Sequence, residues 1–400
     1  MKSGVPAGIV AALGLTQIIG YGTLYYSFSI LAPAMARDLG LTVEQVFGVF
    51  SASLLVGGLS APLVGGWMDR FGAATIMTFG SAVSALALLL CAWSPSTAVF
   101  AIAIVLLEVA SSMVQYQAAF AALVEIRPKA ASRSITYLTL IGGFASTIFW
   151  PIAASLGEFL SWREIYIAYA LLNLLVCLPL HRWIMRSRTP AAIESSGLNR
   201  DDHRRASRTG KAARHASCLV GLCLTGVHTF RDTDAYGPML GAIGFGAAAV
   251  MIGSLFGPSQ VLSRLINMTF GANLLPPMLA ALSATLIVAS VVVLGLSGTW
   301  LPGAVVFAIC LGLGSGVNSI AQGSLPLWLF GSVGYGAITG RMAAARLAAG
   351  AMAPFVFSVL MERFGTDVAL LANACLGAVG MGAFLAVALA AKRRPDALTL

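Results

Sequence analysis

Two ionisable side chains stand inside long apolar runs, where charge is costly to keep without a use. Glu108 has no charged neighbour between Trp93 and Leu123. A carboxylic acid at that depth is a candidate to bind and release a proton; the alternative is a structural carboxyl bonded to a neighbouring helix. Arg346 lies in a later run, and a guanidinium does not shed its proton. A buried one therefore needs an anion, a carboxylate such as Glu108, or carbonyls. Arg341, nearer the end of that run, reads as an interfacial side chain that snorkels. Neutral polar groups recur at helical spacing. Gln17, Tyr21 and Tyr25 fall at i, i+4 and i+8 and share a face, with Tyr26 directed to a different side. Gln115, Tyr116 and Gln117 cluster in the run that holds Glu108, and Asn318 and Gln322 repeat the i, i+4 pattern. Such groups either line a solute path or stitch helices together. Trp150, before Pro151, either walls a cavity or fills a core.

Other chemistry is excluded. There is no G-x-x-x-x-G-K phosphate loop. The histidines at 181, 203, 215 and 228 have no paired metal spacing. The six cysteines, Cys91, Cys177, Cys218, Cys223, Cys310 and Cys375, form no CxxC pair and read as small apolar packers. No catalytic group, metal, cofactor or nucleic-acid partner is expected.

The elements that position these residues are membrane helices. Of 400 residues 58% are hydrophobic and 10% charged, a balance no soluble domain can bury. Spanning takes about 20 apolar residues, and about twelve candidates follow. They cover roughly 6–35, 43–67, 74–93, 97–124, 134–156, 164–180, 216–237, 243–263, 274–296, 301–328, 339–360 and 368–391. The net charge of +9 lies mostly between apolar runs, on one set of connections: Lys2, Arg70, Arg127, Lys129, Arg133, the group from Arg182 to Arg214, and Lys392 to Arg394. Positive charge collects on the cytoplasmic side, so both termini are expected there. The stretch 181–215 reads as a solvated linker between a bundle at 1–180 and a bundle at 216–400. A faint repeat relates the halves: aligning 47–72 with 246–271 sets Gly58 on Gly257 and Phe71-Gly72 on Phe270-Gly271. Met268 and Thr269 then fall where Asp69 and Arg70 sit.

The seventh span is discordant. After an apolar start it carries His228, Arg231, Asp232 and Asp234, and each central charge would cost about 2.5–3.5 kcal/mol. It is a short or tilted helix with a polar outer end, an ion site of Asp232, Asp234 and His228, or a stretch out of frame. Read one base later with permitted codons, Gly226 to Pro238 becomes A-F-T-L-S-A-I-L-T-H-M-V, a good spanning segment. The coding DNA, examined for a single-base gain or loss within 190–237, decides this.

The segment Gly65-Gly66-Trp67-Met68-Asp69-Arg70-Phe71-Gly72 resembles the loop signature of the major facilitator superfamily, G-x-x-x-D-R-x-G-R-R/K. Gly65, Asp69, Arg70 and Gly72 match in place; Ala73 and Ala74 stand where that family has basic residues. The resemblance implies an all-α membrane protein of two pseudo-symmetric six-helix bundles, with no enzyme activity. It also implies a cytoplasmic gating loop that latches the outward-open state and a solute site between the halves lined by helices 1, 4, 7 and 10. Arg264 is the second-half counterpart of the gating loop. Gln17, Tyr21, Tyr25, Glu108, Tyr116, Gln117, Trp150, Asn318, Gln322 and Arg346 form the expected substrate and proton pathway. The layout Tyr116, Arg127-Pro128, Arg133, Gly142-Gly143, Pro151 and Trp162-Arg163 resembles the monocarboxylate and oxalate/formate branch. The expected activity is carriage of a small organic anion with or against a proton. Glu108 would couple the proton, and Arg346 with Gln322 would hold the anion. The expected setting is a monomer in a bacterial inner membrane. Efflux of a metabolite, drug or toxic ion, a channel or receptor, and a degenerate, inactive family member are the alternatives.

Overall fold

The computed structural model describes residues 4–187, 240, 244–245, 248–271, 274–365, 368, 371–372, 375 and 377–382. Outside them lie residues 188–215 of the linker, the seventh span with its reading-frame question, most of the twelfth span and both ends of the chain.

Among the described residues every regular element is helical. In the first half these are α1 (Ala7–Leu39), α2 (Val43–Phe71), α3 (Ala73–Ala92), α4 (Thr97–Ile126), α5 (Pro128–Gly157) and α6 (Trp162–Arg186). In the second they are α7 (Ala248–Ser254), α8 (Phe256–Phe270), α9 (Pro276–Ser297), α10 (Leu301–Phe330) and α11 (Tyr335–Phe364). Eight of them, α1 to α6 with α9 and α10, are long and apolar enough to cross a membrane. Leu59, Leu63, Phe79 and Ile102 are between 59% and 70% exposed, as side chains facing lipid must be. The chain divides into two compact units, residues 1–217 with 330–348, and residues 218–329 with 349–400.

Local signals set the helix ends. Gly40 takes the left-handed conformation after α1, with φ of 65°. Thr42 and Gln45 form a reciprocal capping box that starts α2. Ser161 and Glu164 do the same for α6. Gly72, at φ of 91°, both ends α2 and starts α3. The helix of α6 runs on to Arg186, through residues read from sequence as linker, because His181 and Ile184 are buried on it.

Four helices are interrupted inside the first unit. In α4, Gln115 leaves helical geometry and divides the helix before Tyr116. In α5 the Gly142-Gly143 pair lets the chain turn before Ala145. In α6 a π-helical turn at Asn173–Cys177 precedes Pro179, whose missing N–H frees a carbonyl one turn back. A second π turn widens α1 at Gly22–Tyr26. Glycines let the helices close up: a Cβ on Gly80 of α3 would stand 2.6 Å from Met113 of α4, and one on Gly14 of α1 would stand 2.6 Å from Ile141 of α5.

The second unit packs α8 and α9 on α10 in the same way. A Cβ on Gly312 would stand 2.6 Å from the Phe256 carbonyl oxygen of α8, and one on Gly314 would stand 2.6 Å from Ile287 of α9. The eighth span lies further along the chain than the apolar pattern suggests. Its polar residues Ser259, Ser263, Arg264 and Asn267 are all buried, so they serve as an interior face instead of marking an end.

Candidate functional site

The segment Gly65–Gly72 holds a helix-capping device. Asp69 sits in the last turn of α2, and its two carboxylate oxygens accept the N–H groups of Gly336 and Ala337, each at 2.8 Å. These are first-turn donors of α11, which have no partner within their own helix. A negative charge there also meets the positive end of the helix dipole. Glycine makes the approach possible. A Cβ on Gly65 would collide with the Gly336 carbonyl, one on Gly340 would collide with the Ala61 carbonyl, and one on Gly336 would stand 2.8 Å from Asp69 Oδ1. Arg70 points elsewhere and lies over the Phe71 ring, 5.0 Å from its centroid.

A second carboxylate repeats the pattern. Glu125, near the end of α4, accepts the Ala73 N–H at 3.0 Å and so caps α3 beside Gly72. Sequence reasoning missed it, since an acid at the end of an apolar run has no distinctive spacing; its position just before Arg127 was the available signal. Ala73 and Ala74 are 1% and 2% exposed, so the sites of the two departures from the loop signature have no room for basic side chains.

Glu108 is 6% exposed within α4, and its Oε1 has no hydrogen-bond partner among the described residues. Its backbone lies against Gly57 of α2, where a Cβ would stand 3.0 Å from the Glu108 carbonyl oxygen. Tyr166 of α6 is within electrostatic reach. The next glycine, Gly58, faces Leu347 of α11, with 2.7 Å from a Cβ there to the leucine Cβ. Glu108 of α4 and Leu347 of α11 thus pack against adjacent glycines of α2.

Gln17 is buried, and its Nε2 donates to the Val114 carbonyl at 2.8 Å, tying α1 to α4 just before the break at Gln115. The aromatic residues gather nearby. Tyr21 lies on Tyr116 with centroids 4.8 Å apart, and Tyr25 faces Phe50 at 5.8 Å. Tyr26 does not point to a different side as the helical spacing suggests. It lies 6.1 Å from Tyr21, 5.3 Å from Tyr25 and 6.3 Å from Trp150, because the π turn adds a residue between them. Gln117 is half-buried on the segment that follows Gln115. The first unit therefore brings Gln17, Tyr21, Tyr25, Tyr116 and Trp150 together and adds Tyr26 and Phe50.

In the second unit Arg264 is 2% exposed and donates from Nε to Ser319 at 3.1 Å and from Nη2 to Gln260 at 3.4 Å. Gln260 in turn donates to Ser315 at 3.0 Å. Arg264 belongs to a buried polar seam between α8 and α10, and it lies inside the helix where sequence placed it at a loop. Asn318 is buried and Gln322 half-buried on α10. No group of three metal-ligating side chains occurs among the described residues.

A family model described as the Major Facilitator Superfamily matches residues 13–354. No curated protein matches the sequence. Solved structures do match. The proton:xylose symporter XylE bound to 6-bromo-6-deoxy-D-glucose aligns with a TM-score of 0.72 and 12% identity, over 94% of this chain and 95% of that one. The human organic anion transporter MFSD10 gives 0.74 and 15%, over 95% of this chain and 100% of that one. The transporter FucP in the outward conformation gives 0.66 and 16%, over 93% and 96%. At these identities the likeness is one of fold.

Proposed function

This chain belongs to the Major Facilitator Superfamily, and on that premise we propose that it carries a small organic anion coupled to a proton, by alternating access. Family and apolar helices make it an integral, multi-pass membrane protein and a transporter, not an enzyme.

The observation that carries the proposal is Glu108, a buried carboxyl with one oxygen unpartnered among the described residues. A carboxyl kept for structure has its hydrogen bonds made; one that takes up and releases a proton needs an oxygen left open. Its backbone packs on Gly57 of α2, the helix that carries Asp69, which supports a coupling between its protonation and that helix. The Asp69 cap on α11 supports a cytoplasmic latch, since two short charge-assisted hydrogen bonds must part before α2 and the start of α11 can separate. Arg346, half-buried on α11, supports the anion, and MFSD10, which shares the fold, is named an organic anion transporter.

The test is uptake of small carboxylates by proteoliposomes under an imposed pH gradient. Arg346→Ala should abolish uptake. Glu108→Gln should retain exchange but lose its dependence on pH. Normal, pH-dependent transport by both variants would sink the assignments.

A further inference from the structure

We propose that the solute carries an aromatic ring, gripped by Tyr21, Tyr26, Tyr116 and Trp150 of the first unit. This rests on the reading of the cargo as an organic anion and narrows it to aromatic carboxylates.

The grip is built by the π turn in α1. In a regular α-helix residues five apart point about 140° away from each other. The wider turn at Gly22–Tyr26 brings Tyr21 and Tyr26 to one side, 6.1 Å between centroids. Such a turn is irregular backbone and is held on purpose. Ser27 donates to the Gly22 carbonyl at 2.7 Å and pairs with the Tyr169 hydroxyl at 3.0 Å. Asn173, which opens the π turn of α6, donates to Thr23 at 3.0 Å. Two irregular turns from different helices are thus locked to each other behind the tyrosines. Single π turns within α-helices occur frequently at functional sites.

The rings are sorted by chemistry. Phe28, Phe120, Phe149 and Phe50 are 2%, 3%, 5% and 8% exposed, forming the back. Tyr21, Tyr25, Tyr26 and Tyr116 are half-buried, and Trp150 is 39% exposed. A cluster that served only as core would close all its rings. Here the tyrosines and Trp150 keep part of their rings exposed, and none of these residues is charged, so they offer faces and edges. Gly142 leaves space for this: a Cβ there would stand 2.6 Å from the Tyr116 hydroxyl. A flat ligand ring gains from offset and edge contacts with such a set, each worth about two- to tenfold in affinity. A saturated ring of similar size has no π face to offer.

The experiment measures binding to the full chain in lipid nanodiscs, with benzoate, cyclohexanecarboxylate and benzamide as probes. Benzoate is expected to bind about tenfold more tightly than cyclohexanecarboxylate. In Tyr26→Leu and in Trp150→Leu that ratio should fall towards one, while Tyr26→Phe preserves it. Each variant is checked for a single folded species, and Tyr26→Phe keeps the comparison open if a leucine variant does not fold. Equal binding of benzoate and cyclohexanecarboxylate by the unaltered protein overturns the ring proposal and leaves the anion reading standing. Benzamide binding as tightly as benzoate overturns the anion reading and leaves the ring grip standing. Binding of neither aromatic probe overturns the ring proposal.

Discussion

Asp69 and Gly336 are joined across 267 positions of sequence by a hydrogen bond of 2.8 Å from the glycine N–H to the carboxylate. The partner oxygen takes the next N–H, from Ala337, at the same distance, so one side chain satisfies two orphan donors of α11. Asp69→Asn keeps the shape and one acceptor but loses the charge and turns an NH2 group towards an N–H. The latch should weaken by about 1.5 kcal/mol, roughly tenfold in the balance of states. Initial transport rates in proteoliposomes check it, and an unchanged rate would remove the latch role.

Gly57 and Gly66 lie on the same helix and should respond in opposite ways. A Cβ at Gly57 meets the backbone and Cβ of Glu108 at 3.0–3.1 Å, so Gly57→Ala must push α2 and α4 apart. The expected cost is about 1–3 kcal/mol. At Gly66 nothing lies within 4 Å, so Gly66→Ala should stabilise by up to about 1 kcal/mol through helix propensity. Thermal unfolding in detergent compares the pair directly.

Arg163, at the start of α6, ties that helix to the ends of α1 and α3. Its Nε pairs with Asp38 at 2.9 Å, and its Nη1 donates to the carbonyls of Ala92 and Ser94 at 2.7 and 3.1 Å. Asp38 also accepts the Trp162 indole N–H at 3.0 Å. Because the ion pair is partly exposed, Asp38→Ala should cost no more than about 1 kcal/mol. Arg163→Ala loses the carbonyl bonds as well and should cost more. Equal losses in thermal stability would show that the carbonyl contacts add nothing.

The seam between the two π turns makes a coupling prediction. Asn173→Leu leaves the Thr23 hydroxyl only its bond to the Ile19 carbonyl at 2.8 Å, and Thr23→Val leaves the Asn173 amide only its bond to the Tyr169 carbonyl at 2.9 Å. Each single change should destabilise by about 0.5–1.5 kcal/mol, the net worth of a hydrogen bond whose partner keeps another. The double variant should cost less than their sum by about 1 kcal/mol. Strict additivity in a thermal-stability cycle would mean that the bond at 3.0 Å contributes nothing.

Much of this could be read in the chain itself. The spans α1 to α6 and α9 to α11 lie where apolar length puts them, with shifts of a few residues at their ends, because a bilayer selects on length and apolarity alone. Asp69 stood out in the sequence because its glycine frame is short and local. Its partners did not: Gly336 and Ala337 contribute backbone N–H groups, which every residue except proline owns and no pattern marks. Glu125 was invisible for the same reason, since what it caps is the backbone of Ala73.

Tyr26 and Arg264 show the other limit. Face assignments from sequence assume 3.6 residues per turn, and the π turn in α1 breaks that assumption and carries Tyr26 into the ring cluster. Arg264 reads as a loop charge until α10 supplies Ser319 and glycine-lined room to bury it. The sequence by itself determined what solvent each helix must face and which residues could carry charge through it, because those are properties of composition and spacing. Only the tertiary structure decided which backbone groups receive those charges and where the helical period fails, because both depend on neighbours that are distant in the chain and close in space.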